Sequence, residues 1–156
     1  MLAWKYMACQ FIVGKHMNGK LCIFFNLSKA NQMAIRFLGQ KVAKLHITPI
    51  QAMILGFLHD EDRITSSALG KKTELDSATL TGILDRLEVA GLVQRQVHPR
   101  DRRSIQIHLT EQGKEMGAGA AQAIAQANRE FLASLSAEEQ NTLMMLIGKL
   151  RDQLQE

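Results

Sequence analysis

The stretch DSATLTGILDRLEVAGLVQRQVHPRDRRSIQIHLTEQG, residues 76 to 113, decides how this chain is read. Leu80, Ile83, Leu84 and Leu87 recur at i, i+3, i+4 and i+7, the apolar stripe of one helix face. Asp76 stands before the stripe as an N-cap, its carboxylate able to accept the free N–H groups of the first turn. Gly91 is placed to stop the helix, because glycine enters the left-handed conformation without a Cβ clash. The opposite face carries Ser77, Thr81, Asp85 and Arg86, with Thr79 at its edge; Ala78 and Gly82 complete the candidate reading surface. Val93, Arg95 and Val97, then Ile105, Ile107 and Leu109, alternate with the period of two that marks paired strands. Between them His98 to Ser104 crowd Arg100, Arg102 and Arg103 into one hairpin tip, where they repel each other unless a polyanion or an internal partner neutralises them. Asp101 can pair with one or two of the three and brace the loop. A solvated loop is the ordinary reading of such a tip. Directly after a polar-faced helix it reads instead as a DNA-binding wing, the helix suiting the major groove and the arginines the backbone or the minor groove.

The preceding residues supply the other half of a helix-turn-helix. Ile64 to Thr73 is a short helix beginning at Thr65 or Ser66, with Ala68 and Leu69 inward and Lys71 and Lys72 outward; Ser66, Ser67, Lys71 and Lys72 are candidate phosphate contacts. Glu74-Leu75-Asp76 then makes the tight connection that the motif requires. Upstream, Thr48-Pro49 opens a helix with proline at its first position, striped by Ile50, Met53, Ile54, Phe57 and Leu58.

Taken in order, ITPIQAMILGFL (47–58), SSALGKKTELDSATLTGILDRLEVAGLVQR (66–95) and HPRDRRSIQIHLTEQG (98–113) resemble the MarR family of winged-helix transcription regulators. The most specific pieces are LDRLEVAGLV, the Asp101-Arg102-Arg103 run, and the Leu109-Thr110-Glu111-Gln112-Gly113 that follows the second strand. The resemblance implies a mainly α fold with a small β-hairpin wing (α+β), in which N- and C-terminal helices flank the winged helix-turn-helix and dimerise. It also implies a homodimer on a pseudo-palindromic duplex DNA operator, usually a repressor, released by a small molecule or an oxidant. A single domain over 1–156 is expected, with dimerisation helices in 1–45 and 114–156 and the DNA-binding region in 46–113.

Composition agrees with this reading. A chain of 156 residues suits one domain with an adequate core. Apolar runs such as Leu21 to Phe25 are far below membrane-spanning length, and the start lacks the layout of a signal peptide, so a cytoplasmic protein is expected. Cys9 and Cys22 are too few for a secreted disulfide scaffold. Net charge is +4, yet residues 1–59 hold seven Lys or Arg and no acid, while residues 60–156 hold twelve basic and fifteen acidic groups. DNA binding must therefore rest on placed charges rather than a general positive field. All eight aromatic residues lie outside 58–130, so the reading surface lacks the stacking platforms of single-strand and RNA binders.

Thr110 caps a long helix from Glu111 to about Ser134, with Met116, Ala120, Ile124, Phe131 and Leu132 on one side. Its Gly117-Ala118-Gly119 stretch has no preceding strand and no following GK[ST], so close helix packing is expected rather than nucleotide binding. Ser136 and Glu139 form a capping box for a last helix striped by Leu143, Leu146, Ile147, Leu150 and Leu154, a face suited to a dimer interface. At the other end, residues 1–13 suit a short helix carrying Trp4, Met7, Phe11 and Ile12, and residues 20–44 a longer one with Phe24, Leu27, Ile35, Leu38 and Val42 inward.

Family resemblance places an effector pocket between the dimerising helices and the winged helix, with Phe24, Arg36, Phe37, His46, Met53 and Phe57 as candidates; Arg36 or His46 could anchor an anionic aromatic ligand. Cys22, in Leu21-Cys22-Ile23-Phe24, resembles the reactive-cysteine helix of the peroxide-sensing branch, which makes a redox-sensing repressor the alternative. That branch surrounds its cysteine with tyrosines, whereas this chain has Tyr6 alone, and a small buried hydrophobe is the competing role. The five histidines show no metal-ligand spacing, and no cofactor or metal is expected. A winged-helix module for protein contact is a weaker alternative. An enzyme lacks a nucleophile–base pair, metal cluster or cofactor loop to rest on.

Overall fold

The computed structural model describes residues 22–153. The expected helix over residues 1–13 and Leu154 lie outside them. The chain divides into two compact units, residues 1–36 and 37–156. The first contributes most of helix α1 (Ile23–Val42), whose Ile23, Phe24, Leu27 and Ile35 are exposed, Phe24 at 80%. Phe24, Leu27 and Ile35 were expected inward.

The second unit holds the core. A 3-10 turn (Ala43–Leu45) leads to α2 (Pro49–Asp60), β1 (Ile64–Thr65), α3 (Ser66–Thr73) and α4 (Ser77–Val89). The chain continues through β2 (Val93–His98), β3 (Asp101–Leu109), α5 (Glu111–Phe131) and α6 (Ala137–Asp152). The fold is mainly helical with one small antiparallel sheet, in the order β1-β3-β2. Thr48 opens α2 through a full capping box with Gln51, and Pro49 occupies the first turn, where its missing N–H has no partner to lose. The apolar stripe of α2 is wider than its spacing suggested, because Ala52 and Leu55 are buried along with Ile54 and Leu58. Helix α2 is flanked by both α5 and the winged helix, so two of its faces are inside.

Gly117 explains how closely α5 comes. A Cβ there would lie 3.2 Å from the Leu55 carbonyl oxygen and 3.3 Å from His59 Cβ, so the glycine lets α5 press on the backbone of α2. The core is completed by Val42, Leu69, Leu80, Ile83, Leu84, Leu87, Leu92, Val93, Ile107 and Leu109. Strand β1 was not expected from the sequence. Two residues carry no detectable alternation, and Ile64 and Thr65 become a strand only because Ile107 and Gln106 offer a ladder.

Thr110 and Gly113 form the corner where α5 leaves the wing. The Thr110 hydroxyl accepts from Gly113 N at 2.9 Å and donates to the Gly91 carbonyl at 2.7 Å, while Thr110 N donates to Leu92 O at 3.1 Å. The LTEQG run is thus a docking device between α4 and α5. Helix α6 starts at the expected Ser136–Glu139 capping box, but none of its residues is buried in the single chain.

Candidate nucleic-acid interface

Helix α4 begins as its sequence dictates. The Asp76 carboxylate accepts from Thr79 N at 2.9 Å and from the Thr79 hydroxyl at 2.6 Å. These bonds, the hydroxyl's first, hold the Asp76 carboxyl below its ordinary value of 3.8. At the other end Gly91 takes a φ of +70°, Leu92 N donates to Leu87 O and Gly91 N to Glu88 O, both at 2.9 Å, closing a Schellman motif. Leu80, Ile83, Leu84 and Leu87 are buried as spaced, and Ser77, Ala78, Thr79, Thr81, Asp85 and Arg86 are exposed. Gly82 is half-buried and open above its Cα, with nothing within 4 Å of where a Cβ would stand.

Helix α3 lies ahead of it, capped by the Thr65 hydroxyl, which accepts from Ala68 N at 3.1 Å. Leu69 is buried, but Ala68, expected inward, is exposed, because the short helix spares only one face to the core. Glu74 makes the turn with a left-handed φ of 56°. Between α3 and α4 runs an open groove of about 910 Å³, lined by Ser66, Ser67, Lys71, Asp76, Ser77 and Thr81 among others. Most of the polar candidates of both helices therefore share one concave surface. Lys72 differs, being paired to Glu61 at 2.7 Å.

Sequence reasoning missed what holds the wing to α4. Arg95 of β2 reaches Asp85 at 2.7 Å and Glu88 at 2.5 Å, and its backbone N–H donates to Glu88 at 3.1 Å. Asp85, a candidate reader, is therefore engaged inside the protein. The signal was present as an arginine on an otherwise apolar strand face. The hairpin tip also differs from a plain loop. Val97 pairs with Ile105 but His98 pairs with Asp101, which leaves Arg102, Arg103 and Ser104 as three extra residues on β3. Pro99 and Arg100 alone make the turn. Asp101 braces this bulge by accepting from Arg103 N at 3.0 Å. Arg100 and Arg103 are exposed.

The effector candidates are divided between the two units. In the first unit Phe24 and Arg36 are exposed; in the second, the Phe37 ring packs at a tilt against Phe131 with centroids 5.4 Å apart, Phe57 lies against the core, Met53 is half-buried and His46 is an exposed left-handed residue ending the 3-10 turn. Cys22 is half-buried and precedes α1, where its carbonyl accepts from Asn26 N at 3.1 Å. Tyr6 lies outside the described residues. Among those residues no His, Cys, Asp and Glu cluster could hold a metal ion, and no helix is long and apolar enough to cross a membrane.

Two helices joined by a tight turn, followed by an arginine-tipped antiparallel hairpin, define a winged helix-turn-helix. Residues 47–104 match the model of the MarR family. The chain is 32% identical over 126 residues to the HTH-type transcriptional repressor NicR of Pseudomonas putida, covering 81% of this chain and 80% of that one. It is 35% identical over 101 residues to the uncharacterised HTH-type transcriptional regulator YdgJ of Bacillus subtilis, 65% of this chain and 62% of the other. A cysteine-to-serine mutant of MarR from E. coli, in complex with operator DNA, superposes with a TM-score of 0.77 at 29% identity, over 87% of this chain and 99% of that one. The protein belongs to the MarR family of HTH-type transcriptional regulators, which are not enzymes.

Proposed function

We propose that the chain is a homodimeric, sequence-specific reader of duplex DNA that represses from a pseudo-palindromic operator. The observation that carries this is the shared groove of α3 and α4, with Ser77, Thr81 and Lys71 on its walls and an arginine-bearing bulge in the wing that follows. Helix α4 enters the major groove, where Ser77, Ala78, Thr79, Thr81, Gly82 and Arg86 face base edges. Ser66, Ser67 and Lys71 of α3 hold phosphates, and Arg100, Arg102 and Arg103 carry the wing into the adjacent minor groove. Lys72 and Asp85, already paired within the protein, set the posture of these elements. The Thr79 hydroxyl spends its proton on Asp76 and so offers a base only acceptor lone pairs, which suit the amino groups of adenine or cytosine. Two copies meet through the exposed apolar faces of α1 and α6.

Release by a small anionic aromatic effector is the regulation we assign, with Arg36 or His46 as its anchor; release by oxidation at Cys22 is the alternative. The test is footprinting on duplexes selected by the protein from a random pool, with and without a panel of aromatic acids and peroxide. Paired protected half-sites about 10 bp apart, lost with an aromatic acid, are expected. A single protected half-site refutes the dimer, and binding without any salt dependence refutes the DNA reading.

A further inference from the structure

The wing has a second polar flank. Its inner flank faces α4 through Arg95. On the other flank residues of β2 and β3, with the hairpin turn and the lead-in to β1, line an open pocket of about 510 Å³. Its polar lining is Arg63, Gln96, His98, Arg100, Gln106 and His108, two guanidinium groups, two imidazoles and two amides without a carboxylate. His108 Nε2 is buried and has no hydrogen-bond partner among the described residues. The His98 Nδ1 accepts from Arg100 N at 3.2 Å, which leaves its Nε2–H as a donor.

Arg63 is the telling residue. Its φ is +60°, a conformation that side chains other than glycine rarely adopt. It is held there from both sides. Asp62 Oδ1 accepts from Arg63 N and from Leu109 N, each at 2.9 Å, and Gln106 Nε2 donates to the Arg63 carbonyl at 2.8 Å. Glycine would meet the backbone requirement without strain, yet the position carries an arginine that lines the pocket. Observed strain at a site of convergent charge points to function.

We infer that this outer flank is a phosphodiester-binding site, in which Arg63 and Arg100, with His98 and His108 as further partners, grip the DNA backbone on the side of the wing away from α4. The inference rests on the DNA-reading function proposed above. A minor groove is about 6 Å wide and bordered by two phosphate backbones, so a hairpin standing in it meets phosphates on both flanks. The outer one then needs donors and no acids, which is the lining found.

Arg63→Gly separates function from folding, because it removes the side chain, keeps both backbone hydrogen bonds and suits the positive φ. The full-length variant should melt no lower than the wild type while binding a duplex selected by the wild-type chain several-fold more weakly. Its plot of log affinity against log salt should be shallower by about 0.9 for each phosphate that the variant no longer neutralises, and Arg63→Lys should recover part of the slope. His108→Gln serves as a second variant with the same expected direction. A wild-type chain that binds duplex while Arg63→Gly matches its affinity and slope overturns the outer-flank site alone. A wild-type chain that captures no duplex overturns the DNA reading and this inference with it. In a parallel arm, inorganic phosphate is titrated while the imidazole resonances are followed. Saturable shifts of His98 and His108 with inorganic phosphate but none with duplex would make this a free-anion site and overturn the assignment to DNA.

Discussion

A Cβ built on Gly113 would stand 1.8 Å from the carbonyl oxygen of Leu92 and 3.3 Å from a Leu109 methyl, so this glycine is required by proximity rather than by its dihedral angles. Gly113→Ala would push the first turn of α5 off the corner that Thr110 ties to α4. Overpacking of this kind costs about 1–3 kcal/mol, and more where the obstruction is backbone. The melting temperature should fall by several degrees with DNA affinity lost in parallel, and an unchanged thermal transition would show that the corner has slack. Asp76 makes a different kind of residue-scale prediction. Its carboxyl is held low by Thr79, so it stabilises α4 above the ordinary value of 3.8 and ceases to do so as pH falls through the lower folded value. Asp76→Asn should therefore be less stable than the wild type near neutrality and converge with it in strong acid. A stability difference that persisted unchanged in acid would place the effect in the side chain's shape instead of its charge.

At the scale of elements, the helices were legible because each announces itself locally. Thr48, Asp76, Thr110 and Ser136 all cap where they stand in sequence, and the leucines of α4 bury as their spacing requires. The illegible parts depend on partners distant in sequence. Strand β1 exists only against β3, the bulge at Arg102 to Ser104 appears only once Val97 finds Ile105, and the left-handed Arg63 is set by Asp62 and Gln106. Of the candidate interface, α3, α4 and the wing were found, but not which polar groups are already taken. Arg95 is the clearest case. Its contacts to Asp85 and Glu88 tie the wing to α4, yet the pairs are partly exposed and screened, worth about 0–1 kcal/mol each. Arg95→Met should thus change thermal stability little and weaken DNA binding markedly, by loosening the wing and freeing two carboxylates near phosphate. Equal losses of stability and of binding would mean that Arg95 serves the fold alone.

On the scale of the whole molecule, the apolar surface left over is as informative as the core. Helix α6 shows Leu143, Met144, Met145, Leu146, Ile147 and Leu150 to solvent, with Leu146 at 49% and Leu150 at 46%. Monomeric proteins rarely leave so continuous a face uncovered. Arg151, on the same helix, pairs with Glu74 in the turn between α3 and α4, so α6 itself is tied to the helix-turn-helix. A second copy of the chain is the occupant that the proposed pseudo-palindromic operator would require, since a two-fold protein axis would place two identical readers at fixed spacing. Leu146→Asp with Leu150→Asp tests this without disturbing a buried side chain. In a dimer built on α6, the double variant should sediment as a folded monomer with unchanged far-ultraviolet circular dichroism and lose cooperative protection of paired half-sites. The salt dependence of its DNA affinity should drop to about half, because only one copy now displaces counterions. A variant that still sediments as a dimer would move the interface elsewhere. An unfolded one would mean that α6 packs within its own chain.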